Sequence, residues 1–183
     1  MGGPTAPDLD AWLAEPAFRV VHRRDAGVGP DALWAAALGV RVADAGLLGR
    51  LVRWRIPGLP RDLRFDELFR APPFVVLETA QWRLVSGLVG RIWTLRRDYP
   101  ELDVPAEFRE WSRRGTARVV FAHWVMRNGA GSCLHSETRV EALGAQGRLG
   151  LRAVSPIVRR FQGLVGSEGL DAAVRRAEAD QRS

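Results

Sequence analysis

The residues able to do chemistry in this 183-residue chain are few: three histidines, one cysteine, and scattered hydroxyl and carboxyl groups. His22, His123 and His135 all fall in segments that read as extended, which is raw material for a metal site. No HExxH or Cys/His spacing accompanies them, so no metal is expected. His123 lies between Val119, Phe121 and Val125, and a histidine on so apolar a face is a candidate ligand anchor or proton donor. Ser136 and Thr138, alternating along a neighbouring segment, offer hydroxyls to a ligand oxygen. Cys133 has no activating base beside it, which argues against a nucleophile. Glu137 and Arg139, two apart on one strand face, predict a surface ion pair worth about 0.5 kcal/mol. Glu78 closes an apolar run and reads as a turn residue. The chain carries no GxSxG, P-loop or dinucleotide fingerprint, which argues against hydrolase, nucleotidase and dehydrogenase classes. No catalytic residue is assigned and no cofactor is expected.

These side chains must be positioned by strands and helices whose periods the sequence displays. Phe18 to Arg24 alternates as a strand, with Phe18, Val20 and His22 on one face. Pro30 suits the first turn of a helix carrying Leu33, Trp34, Ala37 and Leu38, and Asp31 places a negative charge near its positive end. A second helix is expected along Ala43, Leu47, Leu48, Leu51 and Trp54, broken by Ile56-Pro57-Gly58-Leu59-Pro60. From there to about Val140 the pattern is mainly extended, with strands at Phe74–Thr79 and Arg83–Trp93. Residues 94 to 114 form an irregular insertion with a turn of helix near Glu107 to Trp111, a length that suits a lid or binding element.

The clearest local signal is a hairpin. Thr116–Met126 and Ser132–Val140 flank Asn128-Gly129-Ala130-Gly131, whose glycines and asparagine tolerate positive φ. A four-residue loop, with Arg127 facing Ser132, sets Val125 opposite Leu134, His123 opposite Ser136, Phe121 opposite Thr138 and Val119 opposite Val140. That face is apolar with a few hydroxyls and is taken as the inner one. The other carries Trp124, His135, Glu137 and Arg139 and is expected to be wet. Leu151, Val154, Val158, Phe161 and Val165 recur at three-four spacing in a long C-terminal helix, which Ser155-Pro156 is expected to kink or break.

Composition narrows the function. Hydrophobic content of 46% and charged content of 26% are those of a globular domain. All the basic residues are arginine, giving a formal charge of +6, but they are scattered singly and in pairs, and no nucleic acid is expected as partner. No window approaches the apolar length of a spanning helix. The N-terminus lacks the pattern of a signal peptide, and Ala6 stands where myristoylation would need Ser or Thr. A single cysteine allows no internal disulfide, which points to a reducing cytoplasm. Residues 1–15 read as a loose segment and 16–180 as one domain.

The order of strand, two short helices, antiparallel strands and long closing helix is that of a helix-grip α+β fold, a curved antiparallel sheet wrapped around the C-terminal helix. The chain resembles the SRPBCC superfamily, which includes START lipid-binding domains, birch-pollen-allergen-like proteins and polyketide cyclase/dehydrase-like proteins. The resemblance rests on Pro30-Asp31-Ala32-Leu33-Trp34, Gly87-Leu88-Val89-Gly90-Arg91-Ile92-Trp93, Ser136-Glu137-Thr138-Arg139-Val140 and the arginine-rich end of the final helix, over about residues 18 to 178. It implies a cavity between sheet and helix that holds a small hydrophobic molecule such as a lipid or polyketide, with no shared catalytic residue. Candidate cavity residues are Trp34, Trp93, Val119, Phe121, His123, Ser136, Thr138, Val158 and Phe161. A binding or carrier module is the leading expectation. The alternatives are an aromatase/cyclase-like enzyme that uses the cavity to orient its substrate, and a protein-interaction module with a basic surface.

Overall fold

The computed structural model describes residues 5–41, 62–94 and 98–180, and within 154–168 the backbone alone. In chain order the described elements are α1 (Asp10–Leu13), β1 (Phe18–Ala26), α2 (Pro30–Gly39), α3 (Phe65–Arg70), β2 (Val75–Ala80), β3 (Arg83–Gly90), α4 (Pro105–Glu110), β4 (Ala117–Asn128), β5 (Gly131–Ala142) and α5 (Gly144–Asp180). The strands form one five-stranded sheet in the order β1-β5-β4-β3-β2, every neighbouring pair antiparallel. Helix α5 lies against β1, β5 and α2. The architecture is α+β, a sheet gripping its C-terminal helix. The helix expected along Ala43–Trp54 lies outside the described residues.

The hairpin pairs in the expected register: Val125 with Leu134, His123 with Ser136, Phe121 with Thr138 and Val119 with Val140. Its loop is shorter than expected. Asn128 pairs with Gly131, leaving Gly129-Ala130 as the turn, and Gly129 takes the φ of +58° that such a turn requires. Asp31, in the first turn of α2, accepts a hydrogen bond at 2.8 Å from the Trp82 indole, tying the β2–β3 turn to that helix.

Two stretches of backbone differ from expectation. Residues 65–70, read as extended, form α3. Phe65, Leu68 and Phe69 share one face at three-four spacing, and the Glu67 carboxylate reaches back to accept the Arg64 amide at 2.9 Å. At the C-terminus, α5 runs as one 37-residue helix through Ser155-Pro156. A proline withdraws a single amide donor from the ladder, and the rest of the helix carries the axis across it.

The larger correction concerns the outer sheet face, which is covered instead of wet. Val85, Val89, Val120, Ala122 and Trp124 pack there under Leu9, Leu13 and Phe108. Phe108, fully buried, sits where a side chain on β3 would be: a Cβ at Gly87 would lie 2.6 Å from its ring. Trp12 meets Phe108 edge-on at 6.4 Å, and Arg109 lies 4.5 Å over the Trp12 ring. Thus α4, from the 94–114 insertion, joins α1 in closing a second apolar layer. Among the described residues no helix is long and apolar enough to cross a membrane.

Candidate functional site

Alternation along the strands sends two rows of side chains across the inner face. One runs His22, Ser136, His123 and Leu84; the next runs Val20, Thr138, Phe121 and Ser86. Above them stand Trp34 and Ala37 from α2, Phe65 and Phe69 from α3, and Leu170 and Ala173 from α5, and between floor and roof is a cavity of about 260 Å³. Among its described lining residues none is Asp, Glu or Arg; the polar groups are His22, His123, Ser136, Thr138 and Tyr99. They are carried by secondary structure except for Tyr99, which follows β3 where Arg91 donates its amide to the Asp98 carbonyl at 3.1 Å.

The pivotal group is His123. Its ring packs edge-on against Phe65 at 4.6 Å and tilted against Phe69 at 5.0 Å. Phe69 in turn contacts Phe74 and Phe121, so the imidazole is one member of an aromatic cluster. It is 7% exposed, and its Nε2 has no hydrogen-bond partner among the described residues. Burial pushes the imidazole from 6.5 down to about 3, leaving it neutral at neutral pH. An unmatched buried nitrogen costs roughly 1–3 kcal/mol.

Trp34, Phe121, His123, Ser136 and Thr138 line the cavity. Val119 is also on the inner face, but farther along the sheet, where it is packed with Phe18, Leu88, Val140 and Leu151. Trp93 is not on a strand. β3 stops at Gly90, whose φ is +139°, and the Trp93 ring then lies against Gly147 and Gly150 of α5. The Val158 and Phe161 side chains lie outside the described residues. Sequence reasoning did not select His22, Phe65, Phe69 or Phe74. The three-four spacing of Phe65, Leu68 and Phe69 followed by Pro72-Pro73 was the available signal for α3. The meeting of His22 with Ser136 depends on β1 returning to pair with β5, which no local pattern encodes.

The outer face holds the charges differently from expectation. Glu137 and Arg139 are 4% and 8% exposed, so theirs is not a surface pair. Arg139 donates to Glu137 at 2.6 Å and to the Leu13 carbonyl at 2.7 Å, and it also pairs with Asp10. Arg19 binds both Glu137 oxygens at 2.8 and 3.0 Å. Burial opposes the Glu137 charge, but the bonds from Arg19 and Arg139 outweigh it and hold the carboxyl below its ordinary range. Glu78, near the end of β2, forms an ion pair with Arg83 at 2.5 Å. His135 stacks on Trp124 at 5.0 Å, on the face opposite His123. Burial, with Asp25 beside it, pushes the Cys133 thiol up to about 11, far from a reactive thiolate.

No family model and no curated protein matches this chain. Solved structures similar to it include TTHA0849 from Thermus thermophilus, 11% identical, TM-score 0.37, covering 89% of this chain and 99% of that one. CalU16 from Micromonospora echinospora is 14% identical, TM-score 0.30, with 88% and 84% covered. Ara h 8.0201 is 12% identical, TM-score 0.29, with 88% and 98% covered.

Proposed function

We propose that this chain binds or carries a small hydrophobic molecule in the cavity between its sheet and helices α2, α3 and α5. The observation that supports this reading is a cavity of about 260 Å³ whose described walls are apolar apart from a short strip of histidine and hydroxyl groups. Apolar walls with few convergent polar groups are the general character of small-molecule sites. Such volume is ample for a ligand, since an engineered apolar cavity of about 150 Å³ takes up benzene. The cyclase-like alternative would use His123 to pass a proton. An imidazole held near 3 carries no transferable imidazolium proton at neutral pH, and that weighs toward binding.

The test is titration with N-phenyl-1-naphthylamine, a neutral probe whose emission rises in apolar surroundings. Saturable one-to-one binding is expected for the native chain, with at least tenfold weaker binding in Ala173→Phe, which would fill the space beside α5. Absence of saturable binding to the native chain, or equal binding by the filled variant, would sink this reading.

A further inference from the structure

We infer that the first turns of α5, together with the loop before β4, form a docking surface for a bilayer bearing anionic headgroups. Leu149 is 70% exposed, more than any other large apolar side chain among the described residues. A lone exposed leucine needs no explanation, but this one is held outward and ringed by arginine. The rotation of α5 is fixed from its other side, where Leu151 is buried and the Trp93 ring lies against Gly147 and Gly150. A Cβ at Gly150 would lie 2.4 Å from that ring. Residues 147, 150 and 151 share the helix face opposite 145, 148, 149 and 152, so turning Leu149 inward would break both contacts. Ala145, Arg148, Leu149 and Arg152 are all exposed, and three-four spacing places them on one stripe. The loop before β4 abuts the same end of the helix: Gly115 donates its amide to the Leu143 carbonyl at 2.8 Å, and a Cβ at Gly144 would lie 3.4 Å from that of Arg114. It adds Arg113 and Arg114, both exposed.

Charge decides the partner. None of Arg113, Arg114, Arg148 and Arg152 forms an ion pair among the described residues. Residues 111–136 and 142–167 contain neither Asp nor Glu. Of the carboxylates that bound these stretches, Glu141 accepts from Arg118 at 2.7 Å and Glu110 closes α4. Guanidinium groups pair bidentately with phosphate oxygens, and their stems lie along an apolar surface while the charge stays at headgroup depth. Leu149 then enters the acyl boundary between Arg148 and Arg152, the pattern of helices that lie on a bilayer without crossing it. A nucleic acid offers the same phosphates but nothing for an exposed leucine to enter, which favours lipid.

Cosedimentation of the full chain with vesicles tests this surface. Vesicles of phosphatidylglycerol and phosphatidylcholine in equal parts should bind at least tenfold more tightly than phosphatidylcholine alone. Raising ionic strength from about 0.1 M to about 1 M, which cuts the reach of charge from about 10 Å to about 3 Å, should release the protein. An arginine at an anionic surface strengthens binding about fivefold, so Arg148→Gln with Arg152→Gln should weaken it at least tenfold. Leu149→Ser, which keeps every charge, should weaken it at least threefold. These positions are exposed, and unchanged thermal melts of the variants would show that their folding is intact. A charge-matched control, Arg23→Gln with Arg127→Gln, removes two exposed arginines near the β4–β5 turn, roughly 20–30 Å along the strands from the start of α5. It should change binding by less than twofold. Equal loss in the control would mean that net charge attracts the vesicles and this surface does not. Native affinity in Leu149→Ser would remove the bilayer as the favoured partner. Failure to bind the anionic vesicles, or tighter binding to a DNA duplex at the same salt, overturns the proposal. None of these outcomes involves the cavity, so the proposal is tested independently of N-phenyl-1-naphthylamine binding.

Discussion

His123 shows how a single side chain is governed by its surroundings. Phe65 and Phe69 exclude water from the ring, and no described group pairs with Nε2. The fold therefore favours the neutral imidazole, with the folded value about 3 against 6.5 when free. Between those two values the unfolded chain binds the extra proton, so stability is complete above about pH 6.5 and is lost progressively as pH falls toward 3. Thermal melts of native and His123→Phe protein across this window should show a shallower acid decline in the variant. Parallel declines would mean that His123 does not titrate as its burial dictates. The buried Glu137–Arg139 pair is a different case, since Arg19 and the Leu13 carbonyl complete its hydrogen bonds. Such a pair tolerates burial because its partners are present, and loss of one partner is what makes it costly.

At the scale of elements, the 94–114 segment does two things. Tyr99 lines the cavity, while α4 crosses to the outer face and seats Phe108 against Gly87. A helix that caps the outer layer should contribute to stability without touching the ligand. Phe108→Ala is expected to cost about 3–5 kcal/mol in chemical denaturation, with N-phenyl-1-naphthylamine affinity changed by less than threefold under native conditions. A small stability loss coupled to a large affinity loss would instead make α4 part of the binding site. Helix α3 has the opposite role. Its apolar face supplies Phe65 and Phe69 to the cavity wall, and the Phe65 amide bonds the Val40 carbonyl at 2.8 Å, joining α3 to the chain just past α2.

For the molecule as a whole, the sheet is a wall between two apolar layers of unequal filling. The outer layer is packed by α1 and α4; the inner one retains about 260 Å³ beneath α2, α3 and α5. Interiors are ordinarily close-packed, and unfilled volume forfeits contacts. Under the proposed binding role, the protein trades stability for room, a common exchange where function needs it. Ala173→Phe is accordingly expected to raise the melting temperature by a few degrees, roughly the effect of 1 kcal/mol in a domain of this size. A marked fall in melting temperature would mean that the space cannot accept a ring at that position.

Much of this arrangement was legible before any coordinates. The hairpin register, and with it the placement of Phe121, His123, Ser136 and Thr138 on one face, follows from strict alternation on either side of Asn128-Gly129-Ala130-Gly131, because a one-residue slip would invert every side chain. The first strand, the Pro30 helix and the long C-terminal helix were equally local in origin. Tertiary structure alone decided that the outer face is covered. The burial of Glu137 and Arg139 depends on Leu9, Leu13 and Phe108, whose segments lie far from β4 and β5 in sequence or show no dominant period. It also decided that β3 ends before Trp93 and that His22 joins His123 around Ser136. Strand alternation is written in the side chains of each segment, but what covers a face is settled by the return of distant segments, where the gain from burying apolar surface is realised only on contact.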